Sequence, residues 1–208
     1  MSLVEYFNKG GSMMWGLLVV AIIAVVLIIE RIITLWIVHN KNPLRVFEKA
    51  RDIFESEGMD AAREYLAEDK SPMAKILLAG LEKIDRGRAV VEEAMTMKAS
   101  GELAFLDRGM IFLSASATVA PILGFLGTVT GMIKAFNAIA LAGEVEPTLV
   151  AAGISEALIT TATGLMIAAP VAVFYAAFSS TINSYARKAE EASNAFIEYL
   201  LEKGLLKE

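Results

Sequence analysis

Three long stretches of the chain carry almost no charge, and they limit what it can fold into. They are Met13 to Ile29, Gly109 to Ile133 and Leu149 to Ile182, and Glu156 is their one charged residue. A membrane-spanning helix needs about 20 mostly apolar residues to cross a hydrocarbon layer of roughly 30 Å. A hydrophobic content of 56% is also high for a soluble domain. The sequence therefore predicts an all-α integral membrane protein with three transmembrane helices.

The charge pattern divides the chain into seven predicted segments. These are an N-terminal periplasmic segment at 1–12, a first span at 13–38, a cytoplasmic helical domain at 39–108, a second span at 109–141, a periplasmic turn at 142–148, a third span at 149–182 and a C-terminal helix at 183–208. Within the domain, amphipathic helices are predicted at 43–58, 59–69 and 72–100. At a rise of about 1.5 Å per residue, the second and third spans would each reach about 50 Å. We expect both to extend beyond the bilayer into the cytoplasmic domain.

Basic residues near the span ends predict the orientation. The relevant residues are Lys41, Arg45, Lys49 and Arg51 after the first span, Arg108 before the second, and Arg187 and Lys188 after the third. Because cytoplasmic flanks carry the excess of Lys and Arg, the N-terminus is predicted outside and the C-terminus inside. A cleaved signal peptide is the alternative for the first stretch. Lys9 is the only basic residue before the apolar run, and no small-residue cleavage pattern follows the run, so a retained span is favoured.

The composition disfavours several classes of function. A net charge of −5 provides no basic stripe for nucleic acid. Zero cysteines and a single histidine, His39, leave little material for a metal or a cofactor, and we predict none. No nucleophile is accompanied by a base, so the sequence does not predict an enzyme. A self-contained secondary transporter is disfavoured because three spans show no internal repeat.

Small residues distinguish the second and third spans from the first. The predicted packing and kink positions are Pro121, Gly124, Gly127, Gly131, Gly164 and Pro170. Small residues let helix backbones approach closely inside a membrane. Prolines are tolerated in spanning helices, where they loosen or bend the backbone. The two spans are therefore predicted to pack against other helices as an antiparallel hairpin.

The predicted hairpin brings polar residues to matching depths. Lys134 is expected level with Glu156, Pro121 with Pro170, and Thr128 with a hydroxyl layer at Thr160, Thr161 and Thr163. An ionisable group inside a span usually faces a bundle interior or a water-filled route, so Glu156 is the leading candidate for an ion pathway. The alternatives are a structural ion pair between Lys134 and Glu156, and threonines that merely bond their own helix. A proton relay would need a further acid from another chain, so a partner is implied.

Two motifs resemble a known family, the ExbB/TolQ/MotA proton-channel subunits. They are Ala120 to Met132 (APILGFLGTVTGM) and Gly153 to Leu165 (GISEALITTATGL), the second continuing to Pro170. The Gly10 to Trp15 stretch and the Glu30-Arg31 pair are also similar to that family. The resemblance implies that Thr128 and Thr161 are pore-lining hydroxyls and that Glu156 is the acid of the third helix.

The resemblance also implies an assembly and a function. A pentameric ring in the bacterial inner membrane would hold the single-span helices of an ExbD-like partner, which bear the protonatable aspartate. Proton flow through this ring would drive a TonB-like protein that energises outer-membrane transport. The alternatives are a TolQ-like subunit of the Tol-Pal envelope system, a sodium-driven relative and a structural ring that conducts no ions.

Overall fold

The computed structural model describes residues 2–39, 41–143 and 147–206, and within these ranges it contains helices and no strand. The helices are α1 Leu3–Lys9, α2 Met13–His39, α3 Pro43–Glu57, α4 Met59–Glu68, α5 Pro72–Leu81, α6 Arg88–Asp107, α7 Met110–Ala142 and α8 Pro147–Glu202, with a short 3-10 helix at Ile84–Arg86. The all-α prediction is confirmed. Three described stretches are long and apolar enough to cross a membrane, namely Met13–Trp36, Arg88–Leu141 and Pro147–Glu202.

The helix predicted at 72–100 is wrong, because it is interrupted in the structure. α5 ends at Leu81, and α6 begins only at Arg88. Gly87 lies between the 3-10 helix and α6 and has φ +87°. This positive φ ends the 3-10 helix, and glycine adopts it without steric cost. By contrast, α8 is a single helix of 56 residues that includes the third predicted span and the predicted C-terminal helix as far as Glu202.

The chain divides into two compact units. The membrane unit comprises residues 1–30 and 109–177, and the helical unit comprises residues 31–108 and 178–208. The membrane unit therefore contains α1, most of α2, α7 and the first part of α8. The helical unit contains α3 to α6 and the last part of α8.

The core of the membrane unit lies where α2 meets the two later helices. Met14 and Leu17 of α2 are buried with Ala120 of α7 and Ala168 of α8. Large apolar side chains elsewhere on these helices are exposed, among them Val25, Phe125, Phe136, Leu158 and Val173. Lipid tails or other membrane helices can cover such side chains, so this outer surface agrees with a membrane location.

The helical unit has a conventional buried core. Buried apolar residues come from α3 to α6 and from the end of α8, including Phe47, Leu66, Leu77, Val91 and Leu200. The Phe47 and Phe196 rings pack edge to face with centroids 6.3 Å apart, which ties α3 to α8. Two helices begin with a capped proline turn, since Asn42 accepts from Leu44 N–H and Ser71 accepts from Ala74 N–H.

Candidate ion pathway

The α7 and α8 backbones approach each other through glycines. A Cβ on Gly124 would lie 3.0 Å from the Thr160 carbonyl oxygen, and one on Gly131 would lie 3.1 Å from the Gly153 carbonyl oxygen. On the other helix, a Cβ on Gly164 would lie 2.6 Å from the Ala120 carbonyl oxygen. These neighbours are backbone atoms, which cannot rotate away. The hairpin therefore requires the small residues that the sequence places there.

The register of the hairpin differs from the predicted depths by about one turn. Thr161 lies across from Gly124, and its hydroxyl donates to the Gly124 carbonyl at 3.2 Å. Thr128 is four residues further along α7, which is about one helical turn. Pro121 and Pro170 are not level either, because Gly164 is the residue that meets the turn containing Ala120.

Glu156 and Lys134 come together near the start of α8. Lys134 Nζ donates to Glu156 Oε1 at 2.5 Å. The Lys134 side chain is 54% exposed, whereas the Glu156 side chain is 20% exposed. The lysine thus covers part of the acid while remaining open itself. The carboxylate is therefore neither sealed in the protein nor freely open.

Gly11 also lies against the Glu156 carboxylate. It lies between α1 and α2 and adopts the left-handed conformation, with φ +67°. A Cβ on Gly11 would overlap Oε1 of Glu156 and lie 2.7 Å from its carboxyl carbon. The neighbouring Gly10 is similarly close to the Ile159 side chain. The sequence motif contained Gly10 and Gly11, but no local pattern could show that they contact a residue far along the chain.

The candidate threonines all donate hydrogen bonds to backbone carbonyls. Thr128 donates to Phe125 O at 2.6 Å, and Thr163 donates to Ile159 O at 2.8 Å. The single hydroxyl hydrogen of Thr161 is shared between Ala157 O of its own helix and Gly124 O of α7. A hydroxyl whose hydrogen is committed still has lone pairs that can accept. The three partly buried hydroxyls therefore present acceptors rather than donors to their surroundings.

Thr160 occupies a different environment from the other threonines. It has 0% exposure, and its side chain fills the space beside Gly127. Its hydroxyl donates to Ala157 O at 2.9 Å. In this chain Thr160 acts as the knob that fits the Gly127 gap between α7 and α8.

Arg31 is a buried arginine of the helical unit, and the sequence pattern singles it out only as part of the Glu30-Arg31 pair. Arg31 is 2% exposed, and its Nη1 donates to the Leu106 carbonyl at 2.6 Å. This bond joins α2 to the last turn of α6, where α7 is about to begin. The sequence signal that could have predicted such a bond is an arginine next to an apolar run. If such an arginine is buried, its charged head must find a hydrogen-bond acceptor.

The fold and the site together define a class of protein. It is an all-α membrane protein in which two long helices pack closely through glycines and hold one ionisable pair. Residues 68–191 match the MotA/TolQ/ExbB proton channel family. The chain belongs to this family, which is a transport family and not an enzyme family, and the predicted resemblance is confirmed.

Some relatives are named ExbB and others are named TolQ. Putative biopolymer transport protein ExbB-like 1 of Synechocystis sp. is 36% identical over 173 residues, covering 80% of this chain and 66% of the relative. Tol-Pal system protein TolQ of Pseudomonas aeruginosa is 32% identical over 192 residues, covering 80% of this chain and 83% of the relative. Biopolymer transport protein ExbB of Salmonella typhimurium is 38% identical over 81 residues, covering 39% of this chain and 33% of the relative. The chain is thus an ExbB/TolQ-type protein.

Proposed function

We propose that the protein is an ExbB-like proton-channel subunit of an inner-membrane complex, which uses the proton motive force to energise TonB-dependent outer-membrane transport. The observation that carries this proposal is the placement of Glu156. It is the one charged residue in the three apolar stretches, and it is bonded to a half-exposed lysine beside a glycine-packed hairpin. Ionisable residues in spans are expensive and mark ion routes.

In this proposal Glu156 is the group that exchanges protons near the periplasmic end. Lys134 contacts the carboxylate, and about half of its own side chain is exposed, so the contact can open without disturbing the helix packing. Water molecules that accompany the conducted cation can donate hydrogen bonds to the hydroxyl oxygens of Thr128, Thr161 and Thr163. Thr160 has no place on this route, and we assign it to packing because it is fully buried.

The exposed sides of α7 and α8 support an oligomer with a central partner. Phe125, Leu126, Val129 and Leu158 are exposed large apolar residues near the candidate threonines. We propose that copies of the chain form a pentamer in which these helices surround the single span of an ExbD-like protein. That span supplies the acid at mid-membrane, and a TonB-like protein receives the work. The periplasmic N-terminus and cytoplasmic C-terminus follow from the positive-inside rule.

Proton flux in reconstituted vesicles tests the proposal. The chain and a candidate single-span partner protein are incorporated together, a potassium gradient with valinomycin sets the voltage, and an internal dye reports pH. We expect Glu156→Gln to reduce the flux at least tenfold and Thr161→Val to reduce it severalfold. Thr118→Val is the matched control, since Thr118 is a threonine of α7 that also donates to its own helix, at Ser114 O. Unchanged flux in both site variants would overturn the proposal.

Further arms of this experiment separate the alternatives. A sodium-selective dye distinguishes a sodium channel from a proton channel. A structural ring would give no flux in any sample, and Glu156→Gln would then preserve function in cells. The similarity to the Pseudomonas TolQ favours a Tol-Pal role as the second candidate. Rescue of siderophore uptake in cells lacking ExbB supports the first role, whereas rescue of detergent resistance in cells lacking TolQ supports the second.

A further inference from the structure

A cavity of about 410 Å³, lined by both polar and apolar residues, lies in the helical unit. It is formed by the end of α2, the start of α3, Leu106 at the end of α6 and the middle of α8. Small-molecule sites usually measure about 300–1,000 Å³. The cavity is therefore large enough to hold a compact ligand.

The charge of the lining is one-sided. Lys41 and Lys188 both line the cavity, and no Asp or Glu is among the described residues that do so. Lys41 donates to Asp69 at 2.7 Å, so its charge is largely balanced. Lys188 has no carboxylate within ion-pair distance among the described residues. The cavity thus presents one uncompensated positive charge.

Hydroxyls on the same face of α8 add uncommitted donors. Ser180, Ser184 and Lys188 are spaced four residues apart and project to one side of the helix. The hydroxyls of Ser180 and Ser184 make no hydrogen bond with other described residues. Ser116 and Thr163, by contrast, donate to carbonyls of their own helices. Two such hydroxyls beside a lysine are suited to an anionic oxygen.

The rest of the cavity lining includes apolar side chains, namely Leu35, Leu106 and Ile182. Leu35 belongs to the candidate span Met13–Trp36, and Lys41 follows shortly after that span ends. The cavity therefore combines groups that suit an anion with groups that suit a hydrocarbon chain, and it is located at the end of an apolar span. A ligand with both properties is an amphiphile.

We propose that this cavity binds the headgroup of an anionic glycerophospholipid, with its phosphate between Lys188 and the Ser180 and Ser184 hydroxyls. The first part of its acyl chains lies along Leu35 and Ile182. Basic pockets next to spanning helices on the cytoplasmic side are suited to such headgroups. A bound lipid would fix α8 against the start of α3 in the helical unit.

Photolabelling tests the proposal on the protein assembled with its partner. The complex is placed in phosphatidylcholine nanodiscs containing a phosphatidylglycerol with a photoactivatable headgroup, and labelled peptides are identified by mass spectrometry. We expect labelling of the peptides that contain residues 41–43 and 180–188. A phosphatidylcholine probe with the same photoactivatable group should label these peptides much less. Equal labelling by both probes would overturn the proposal.

Two pairs of variants locate the site. Lys188→Glu should reduce the labelling at least fivefold, since one basic residue at a membrane surface is worth about that factor. Arg187→Glu is its control, because Arg187 is the adjacent cation and does not line the cavity. Ser184→Ala should weaken labelling about twofold or more, and Ser179→Ala should not. Equal losses in Lys188→Glu and Arg187→Glu would show general surface attraction and overturn the assignment.

A competition arm identifies the source of the phosphate. Inorganic phosphate and glycerol 1-phosphate are added to the nanodiscs before photolysis. Because the apolar side chains of the cavity lining contribute to binding, neither soluble anion should displace the lipid probe at equal concentration. Displacement by either soluble anion would contradict a lipid ligand. Each variant is also checked for unchanged helical circular dichroism, so that lost labelling reflects the site and not unfolding.

Discussion

The backbone of Gly11 lies directly against the carboxylate of Glu156. Gly11 has φ +67°, and any side chain there would overlap the carboxylate. The turn between α1 and α2 and the side chain of Lys134 therefore both limit how Glu156 can be approached. The acid has a defined position only because residues from three parts of the chain meet there.

Gly11→Ala should impair both stability and ion flow. A left-handed conformation costs an L-residue about 1–2 kcal/mol, so the free energy of unfolding should fall by about that amount. The new methyl group also displaces the Glu156 carboxylate, so proton flux should fall severalfold and its pH dependence should shift. Denaturant unfolding in micelles and flux in vesicles measure these two effects.

Gly204→Ala is the matched control for this variant. Gly204 has a nearly identical φ of +69°, and a Cβ there meets no atom within 4 Å. It should lose a similar amount of stability and keep its flux. Equal flux in the two variants would contradict a positioning role for Gly11.

The closeness of α7 and α8 makes a second prediction. Gly124→Ala should reduce the free energy of unfolding by about 1–3 kcal/mol, because its methyl group meets the Thr160 carbonyl and the Thr161 backbone. Gly101→Ala on α6 should instead stabilise the protein by about 0.5–1 kcal/mol, since nothing lies within 4 Å of its Cβ. Thermal unfolding of both variants checks this. A stabilised Gly124→Ala would disprove the tight packing.

The spans could be predicted from the sequence because membrane helices depend on local composition. The proximity of Lys134 and Glu156 also followed from counting outward from the turn, which needs only a hairpin. The finer register could not be predicted, because it depends on which glycines admit the opposite backbone. That is why Thr161 meets Gly124 and not Thr128.

Other features were missed for equally physical reasons. The break between α5 and α6 includes a 3-10 helix at Ile84–Arg86 and the positive φ of Gly87, and such backbone conformations are not visible in the spacing of apolar residues. The contacts of Gly11 and Arg31 join residues far apart in sequence, which periodicity does not report. The roles of Glu156, Thr128 and Thr161 in ion transfer stay predictions.

The ion pair itself should contribute modestly to stability. Half-exposed pairs are usually worth about 1 kcal/mol or less, and Lys134 is 54% exposed. In a double-mutant cycle, Glu156→Gln and Lys134→Met should each destabilise, and the double variant should lose less than their sum by up to about 1 kcal/mol. Strictly additive losses would mean that the two side chains do not interact in the folded protein.

The lowered pKa of Asp69 predicts how the stability of the protein changes with pH. Burial raises the pKa of Asp69, but hydrogen bonds from Lys41 and Ser71 outweigh it and lower the pKa below its ordinary 3.8. A lowered pKa in the folded state contributes stability that is complete above 3.8 and is lost as the pH falls below that value. Asp69→Asn should therefore lower the melting temperature at neutral pH, with a shrinking difference in acid.

Labelling of introduced cysteines tests the central claim most directly, since the natural chain has no cysteine. Thr128→Cys, Thr161→Cys and the lipid-side control Val25→Cys are assembled with the partner and exposed to a membrane-impermeant thiol reagent. If Thr128 and Thr161 line a hydrated route, their cysteines react at least tenfold faster than the control. Rates equal to that of Val25→Cys would contradict the ion pathway.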